Sequence, residues 1–160
     1  TFSIELLSAA APAGGFGDFN GHALLWDDVA YLPRTILFVE DSLSNLHLIE
    51  RILAHRPEIR IVPAVEGRLA VELAREHKPD IILLDLNLPD MHGREVLTRL
   101  RSEPATRDVP VVIISADALK GQRDRLLSEG AFAYLSKPLD VREFVGTIHR
   151  ALSASPVAAS

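Results

Sequence analysis

Ile81-Ile82-Leu83-Leu84, followed at once by Asp85, is the stretch on which the fold turns. Four consecutive large apolar residues leave no polar face, so a strand made of them must be covered on both sides. Val111-Val112-Ile113-Ile114, followed by Ser115, repeats the pattern. Unbroken runs of this length belong at the centre of a parallel sheet, because a sheet with one wet face alternates. Working outward, three more short runs flank this pair: Ile36-Leu37-Phe38-Val39, Ile59-Arg60-Ile61-Val62 and Phe132-Ala133-Tyr134-Leu135. Stretches of helical period separate the runs and follow the last one. The first, about 44–55, aligns Leu46, Ile49 and Leu53 on one stripe. The last, about 140–152, aligns Val141, Phe144, Val145, Ile148 and Leu152, with Asp140 placed as its N-cap. Gly130 stands where a left-handed C-cap would end the fourth helix, about 119–129. That helix is the least apolar of the five and is expected to be half solvated and loosely held. Five βα units of this size predict a small doubly wound α/β fold, whose ligands sit beyond the carboxyl ends of the strands.

The bulk composition agrees. A chain of 160 residues, 48% hydrophobic and 24% charged, suffices for one compact domain and an extra segment. A net charge of -5 provides no basic stripe for phosphates, which excludes a general nucleic-acid binder. The absence of cysteine removes disulfides and thiolate metal sites and fits a reducing, cytoplasmic setting. No apolar run is long enough to span a bilayer, and the N-terminus lacks the pattern of a signal peptide. Before Pro33 the composition is that of a linker, with Ala9-Ala10-Ala11-Pro12-Ala13-Gly14-Gly15 and Gly17-Asp18-Phe19-Asn20-Gly21 rich in turn formers. The expected organisation is therefore a linker over 1–33, a domain over 34–153 and a tail over 154–160. Thr1 in place of a methionine raises the expectation of a longer parent chain.

The strand ends carry the chemistry. They offer Glu40 and Asp41 after the first run, Asp85 after the third, Ser115 after the fourth, and Ser136-Lys137-Pro138 after the fifth. Singly, each has a bland reading: Asp41 or Ser42 caps a helix, Ser115 caps another, and Lys137 is a solvated surface cation. Together, three carboxylates on one rim repel one another, and the arrangement persists cheaply only around a cation. Oxygen ligands without histidine or cysteine select a hard ion such as Mg²⁺, or Mn²⁺. Such an ion would draw electron density from a phosphoryl group, while Lys137 and the Ser115 hydroxyl would hold its remaining oxygens. A carboxylate nucleophile completes the parts needed to form an acyl phosphate.

Leu37-Phe38-Val39-Glu40-Asp41, Leu83-Leu84-Asp85-Leu86-Asn87-Leu88-Pro89-Asp90-Met91-His92-Gly93, Ile113-Ile114-Ser115-Ala116 and Tyr134-Leu135-Ser136-Lys137-Pro138 resemble the four signature stretches of response-regulator receiver domains. Their intervals match too: 44 residues from Asp41 to Asp85, 30 to Ser115 and 22 more to Lys137. The resemblance covers about 34–152. It implies a flavodoxin-like (βα)5 fold with strand order 2-1-3-4-5. It makes Asp85 the phosphoacceptor and Glu40, Asp41, Asp85 and the backbone carbonyl of Asn87 the ligands of Mg²⁺ or Mn²⁺. It gives Ser115 and Lys137 the transferred phosphoryl group, and makes Ser115 and Tyr134 the switch pair. It also implies a cis Lys137-Pro138 bond and a small residue, Ala116, beside the site. For Tyr134 the plain alternative is a half-buried strand aromatic with its hydroxyl in water. Two departures stand out: Glu-Asp where Asp-Asp is common, and Ser115 where threonine is frequent.

The implied function is Mg²⁺-dependent acceptance of a phosphoryl group from a phosphohistidine partner, either a histidine kinase or a histidine phosphotransfer protein. The domain would catalyse its own phosphorylation and have no external substrate. Output would pass to a downstream protein effector through the face of the fourth helix, fifth strand and fifth helix. Thr1-Phe2-Ser3-Ile4-Glu5-Leu6 is similar to the closing strand of a histidine-kinase ATPase domain, which would make this the C-terminal receiver of a hybrid kinase, tethered to a membrane sensor. No output module follows the last helix, so direct nucleic-acid contact is not expected. Leu24-Leu25-Trp26 and Val29-Ala30-Tyr31-Leu32 offer an apolar cluster for packing or for a homodimer. Competing readings fare worse. A flavin-phosphate domain of the same topology needs a Ser/Thr/Gly-rich loop where Glu40-Asp41-Ser42-Leu43 stands. An aspartyl-phosphate hydrolase needs an acid where Asn87 stands. A degenerate docking module needs one of the five key residues lost, and all five are present.

Overall fold

The structure, a computed structural model, describes residues 33–116 and 119–154. The expected linker segments before Pro33, with the Thr1–Leu6 resemblance and the apolar cluster, lie outside these residues, as does the tail from 155. Among the described residues five strands and five α-helices alternate: β1 Arg34–Val39, α1 Leu43–Ile52, β2 Ile59–Ala64, α2 Gly67–His77, β3 Ile81–Asp85, α3 Gly93–Ser102, β4 Val111–Ser115, α4 Lys120–Ser128, β5 Ala133–Ser136 and α5 Val141–Ala154. The strands form one parallel sheet in the order β2-β1-β3-β4-β5, as expected.

Every residue of β3 and β4 is buried, which accounts for their unbroken apolar sequence. Their side chains divide by parity between two cores. Ile81, Leu83, Val112 and Ile114 pack with Ile49, Leu53, Phe144 and Ile148, so α1 and α5 cover one face. Ile82, Leu84, Val111 and Ile113 pack with Ala70, Val71, Leu97, Leu100 and Leu126, so α2, α3 and α4 cover the other. The sheet is thus doubly wound.

Boundaries differ from expectation where edges and caps decide them. β2 continues through Pro63, because it is an edge strand and a missing N–H facing outward breaks no ladder. On the opposite edge, β5 starts at Ala133; Phe132 is 37% exposed and precedes the strand. α1 tightens into a 3₁₀ turn at Leu53–His55 before ending. Ser42 caps α1, its hydroxyl accepting from the Asn45 N–H, and Asp140 caps α5 through the Glu143 N–H. Gly130 ends α4 at φ 110°, with its N–H on the Leu127 carbonyl and that of Ala131 on the Leu126 carbonyl, a Schellman closure. Leu126 is the one fully buried side chain described on α4, which agrees with a loosely held helix.

Gly93 opens α3 directly beneath the end of β3. A Cβ there would lie 2.5 Å from the Asp85 carbonyl oxygen and 2.7 Å from Leu86 Cα, both backbone atoms that cannot swing aside. By contrast, a Cβ on Gly146, in the middle of α5, meets nothing within 4 Å. Gly93→Ala is therefore expected to cost about 1–3 kcal/mol in urea unfolding. Gly146→Ala should gain about 0.5–1 kcal/mol through helix propensity. Equal effects at the two sites would contradict this packing.

Candidate metal centre

Parallel strands in register bring their carboxyl ends to one level. Val39 pairs with Leu84, Asp85 with Ile114, and Ser115 with Ser136. The residues that follow or close these strands therefore converge on a single rim. Glu40, Asp41 and Asp85 each offer a carboxylate oxygen, and these oxygens lie within 4.8 Å of one another. Glu40 and Asp85 are buried, at 5% and 3% exposure, while Asp41 faces solvent. With Ser42 acting as the cap of α1, Asp41 is released from the bland role the sequence allowed it.

Lys137 enters from the far side of the rim. Its Nζ donates to Glu40 Oε1 at 3.0 Å and lies 3.4 Å from Asp85 Oδ1. It is only partly exposed, so the reading as a solvated surface cation is corrected: two buried carboxylates draw it inward. The Lys137-Pro138 bond is cis, as the resemblance implied, and the Lys137 N–H bonds the Ser115 carbonyl at 2.9 Å. Asn45, which sequence reasoning did not single out, donates from Nδ2 to Glu40 Oε1 at 2.8 Å. Its place on the first turn of α1 was visible, but its aim toward Glu40 requires the strand–helix angle. A cavity of about 160 Å³ lined by Glu40, Asn45, Lys137 and apolar neighbours adjoins these groups.

The electrostatics separate the two buried acids. Burial raises the Asp85 carboxyl, the charge of Glu40 raises it further, and Lys137 with the Asn87 N–H only partly offsets this, leaving it at about 6. Burial also raises Glu40, but the bonds from Lys137 and Asn45 outweigh it and hold that carboxyl below its usual range. Lys137 is raised: burial disfavours its charge, and the bond to Glu40 and the field of Asp85 more than compensate. Asp85 Oδ1 is fully buried and accepts no hydrogen bond. A buried carboxylate oxygen with the Lys137 ammonium 3.4 Å away, among oxygen-only ligands, fits a hard divalent ion.

Ser115 is fully buried at the end of β4, beside the strand that carries Asp85. Asn87 lies in the exposed loop after β3 and bridges to His92. Tyr134 is 6% exposed and packs in the core on the α2–α4 face. The plain alternative of a half-buried aromatic is thereby corrected: β5 is an edge strand, yet its Tyr134 is buried in the same core cluster as Ile113, Leu126 and Ala131. Among the described residues no helix is long and apolar enough to cross a membrane.

Comparison with known proteins agrees with this geometry. Residues 36–149 match the response regulator receiver domain. The polar-differentiation response regulator DivK of Brucella anthropi is 38% identical over 117 residues, covering 73% of this chain and 94% of that protein. The receiver domain of a sensor histidine kinase from Pseudomonas aeruginosa, solved with a magnesium ion coordinated in its active-site cleft, aligns with a TM-score of 0.67 at 32% identity, covering 75% of this chain and 98% of that one. The signal receiver domain of a LuxO-type repressor from Vibrio parahaemolyticus aligns with a TM-score of 0.71 at 30% identity, covering 76% and 92%. With the fold, the signature stretches and the acidic rim in one chain, this protein belongs to the response-regulator receiver domains of two-component signalling.

Proposed function

We propose that Asp85 accepts a phosphoryl group from the phosphohistidine of a histidine kinase or histidine phosphotransfer protein, and that this biases a protein-interaction face. The observation that carries this reading is the convergence of Glu40, Asp41 and Asp85 within 4.8 Å, with Lys137 against the two buried members. Glu40, Asp41, Asp85 and the Asn87 carbonyl would hold Mg²⁺ or Mn²⁺, which supplies charge screening and polarises the phosphoryl oxygens. An Asp85 carboxylate oxygen forms the new bond to phosphorus as the bond from phosphorus to the donor imidazole breaks. Lys137 Nζ leaves its place between the carboxylates to pair with the transferred group, and the Ser115 hydroxyl donates to it. The domain so acts on itself, with no external substrate.

Transmission needs a bistable element, and α4 suits the role. One fully buried leucine holds it among its described side chains, together with the bidentate bonds of Arg94 to Glu129 at 2.8 and 2.6 Å. Movement of Ser115 toward the phosphoryl group, with Tyr134 filling behind it, would shift the packing of α4, β5 and α5 toward a form that a protein effector recognises. We assign residues 34–153 to this receiver and 1–33 to a linker that joins it, in a hybrid sensor kinase, to a preceding ATPase domain. Likeness to the receiver of a sensor histidine kinase supports that placement.

Acetyl phosphate with Mg²⁺ should add one phosphate to the wild-type protein in intact mass spectra. Asp85→Asn should remain unmodified, and EDTA should abolish the reaction. Labelling of the asparagine variant at the wild-type rate would move the site elsewhere.

The raised Asp85 carboxyl also fixes a pH dependence. Between 3.8, its ordinary value, and about 6, the folded protein retains a proton that the unfolded chain has released. The metal-free fold is therefore fully favoured by this group below 3.8 and loses that stability as pH rises through about 6. Asp85→Asn should accordingly be more stable than wild type by about 1–3 kcal/mol near pH 7.5 in EDTA, at ~1.4 kcal/mol per tenfold change. The gap should close as pH falls toward 4. Mg²⁺ at ten times its Kd should stabilise wild type by about 1.4 kcal/mol and leave the variant unmoved. Urea midpoints measure both, and a variant no more stable than wild type at neutral pH would refute the repulsion.

A further inference from the structure

Asp90 lies in the β3–α3 loop, three residues beyond Asn87, and its carboxylate reaches out of that loop to α2. Oδ1 accepts from the Gly67 N–H at 2.7 Å and Oδ2 from the Arg68 N–H at 2.9 Å. These are the first two backbone donors of α2. The helix has no cap of its own, since Glu66 takes the extended N-cap conformation (φ -138°, ψ 153°) but makes no side-chain cap bond. α2 thus takes its cap from another segment. A carboxylate there is favoured by charge-assisted bonds and by the helix dipole. The N–H of Arg68, foremost, and that of Gly67 hold the Asp90 carboxyl below its usual range.

The same contact restrains the loop. Its base is held by packing, with the Gly93 N–H on the Leu86 carbonyl at 2.8 Å and Asn87 bridged to His92. Its tip has little burial to hold it: Asn87, Pro89 and Asp90 are exposed, and Leu88 and Met91 are only partly covered. Leu88 and Met91 pack against the core on the α2 side, Met91 beside Gly67, and the two bonds of Asp90 add a polar tie from the tip to the same helix.

We propose that Asp90 is a positioning residue for the metal centre, fixing through α2 the loop that carries the Asn87 carbonyl beside Asp85. The inference rests on the reading that Asp85 and the Asn87 carbonyl are ligands. Loss of such outer partners weakens metal binding by about 10–100-fold.

Calorimetric titration of the full 160-residue chain with Mg²⁺, paired with urea unfolding in EDTA, tests it. Asp90→Ala should raise the Kd about tenfold. Adding Glu66→Ser to that variant gives α2 a local N-cap, and should restore unfolding stability while leaving the Kd raised. A residue that only capped the helix would recover both. Asp90→Asn keeps one acceptor oxygen and should fall between wild type and alanine, which decides the matter should the alanine variant unfold. Wild-type affinity in Asp90→Ala, or affinity restored by Glu66→Ser along with stability, overturns the proposal. Failure of the wild type to bind Mg²⁺, or undiminished binding by Asp85→Asn, would overturn the metal centre itself and the proposal with it.

Discussion

Two buried carboxylates and one ammonium, at 3.0 and 3.4 Å, set the terms for the rest of the molecule. Glu40 and Asp85 stand at the ends of adjacent parallel strands, so their mutual repulsion follows from the sheet itself. Burial strengthens that repulsion, because charges in a partly desolvated site interact more strongly than in water. Lys137 offsets part of it from just beyond the end of the edge strand β5. The remaining cost is carried by the two apolar cores, which fix the strands from both faces and leave the rim no freedom to spread. Such a site is preorganised at the expense of local stability, as functional sites often are.

From the rim, constraint passes outward through polar contacts. Gly93 abuts the backbone of Asp85 and Leu86, and the next residue, Arg94, grips Glu129 at the end of α4. Arg101, about two turns further along α3, donates to the carbonyls of Arg107, Val109 and Gly130. α3 is therefore bound rigidly into the core on one side and to α4 by guanidinium contacts on the other. A helix held by ion pairs and one buried leucine can change its seat at much smaller cost than one held by an apolar stripe. That difference separates α4 from α5, whose Phe144, Val145, Ile148 and Leu152 are all buried.

The fold was legible wherever a local pattern carries a global consequence. Unbroken apolar runs state that both faces are covered, and β3 and β4 are so covered. Asp140 and Gly130 act where their chemistry places them. Legibility failed where partners meet only through space. Asn45 serves Glu40 across the β1–α1 turn, and Asp90 serves α2 across 22 residues or more, and neither spacing is a signal without the sheet. For Tyr134 the plain alternative was a half-buried strand aromatic; the structure buries it in the core that also holds Leu126 of α4, a helix too polar to announce its part in that core. The strand ends named the rim correctly, but not that Lys137 is drawn in between its acids.

The choice of Glu at position 40 becomes intelligible in these terms. Its longer side chain lets one oxygen take both Asn45 and Lys137 while the other turns toward the Ser42 N–H at 3.4 Å. Three donors make it a firmly ionised, weakly basic acceptor. Asp85, shorter and with an oxygen lacking any hydrogen bond, keeps the higher proton affinity of the two. Environments that push neighbouring carboxyls apart in this way separate their protonation behaviour. Lys137 bonds Glu40 more closely than it approaches Asp85, so its charge favours ionisation of Glu40 most and offsets only part of what raises Asp85. Asp-Asp in place of Glu40-Asp41 would be one methylene shorter at the first position and would shorten the reach to Asn45 and Lys137.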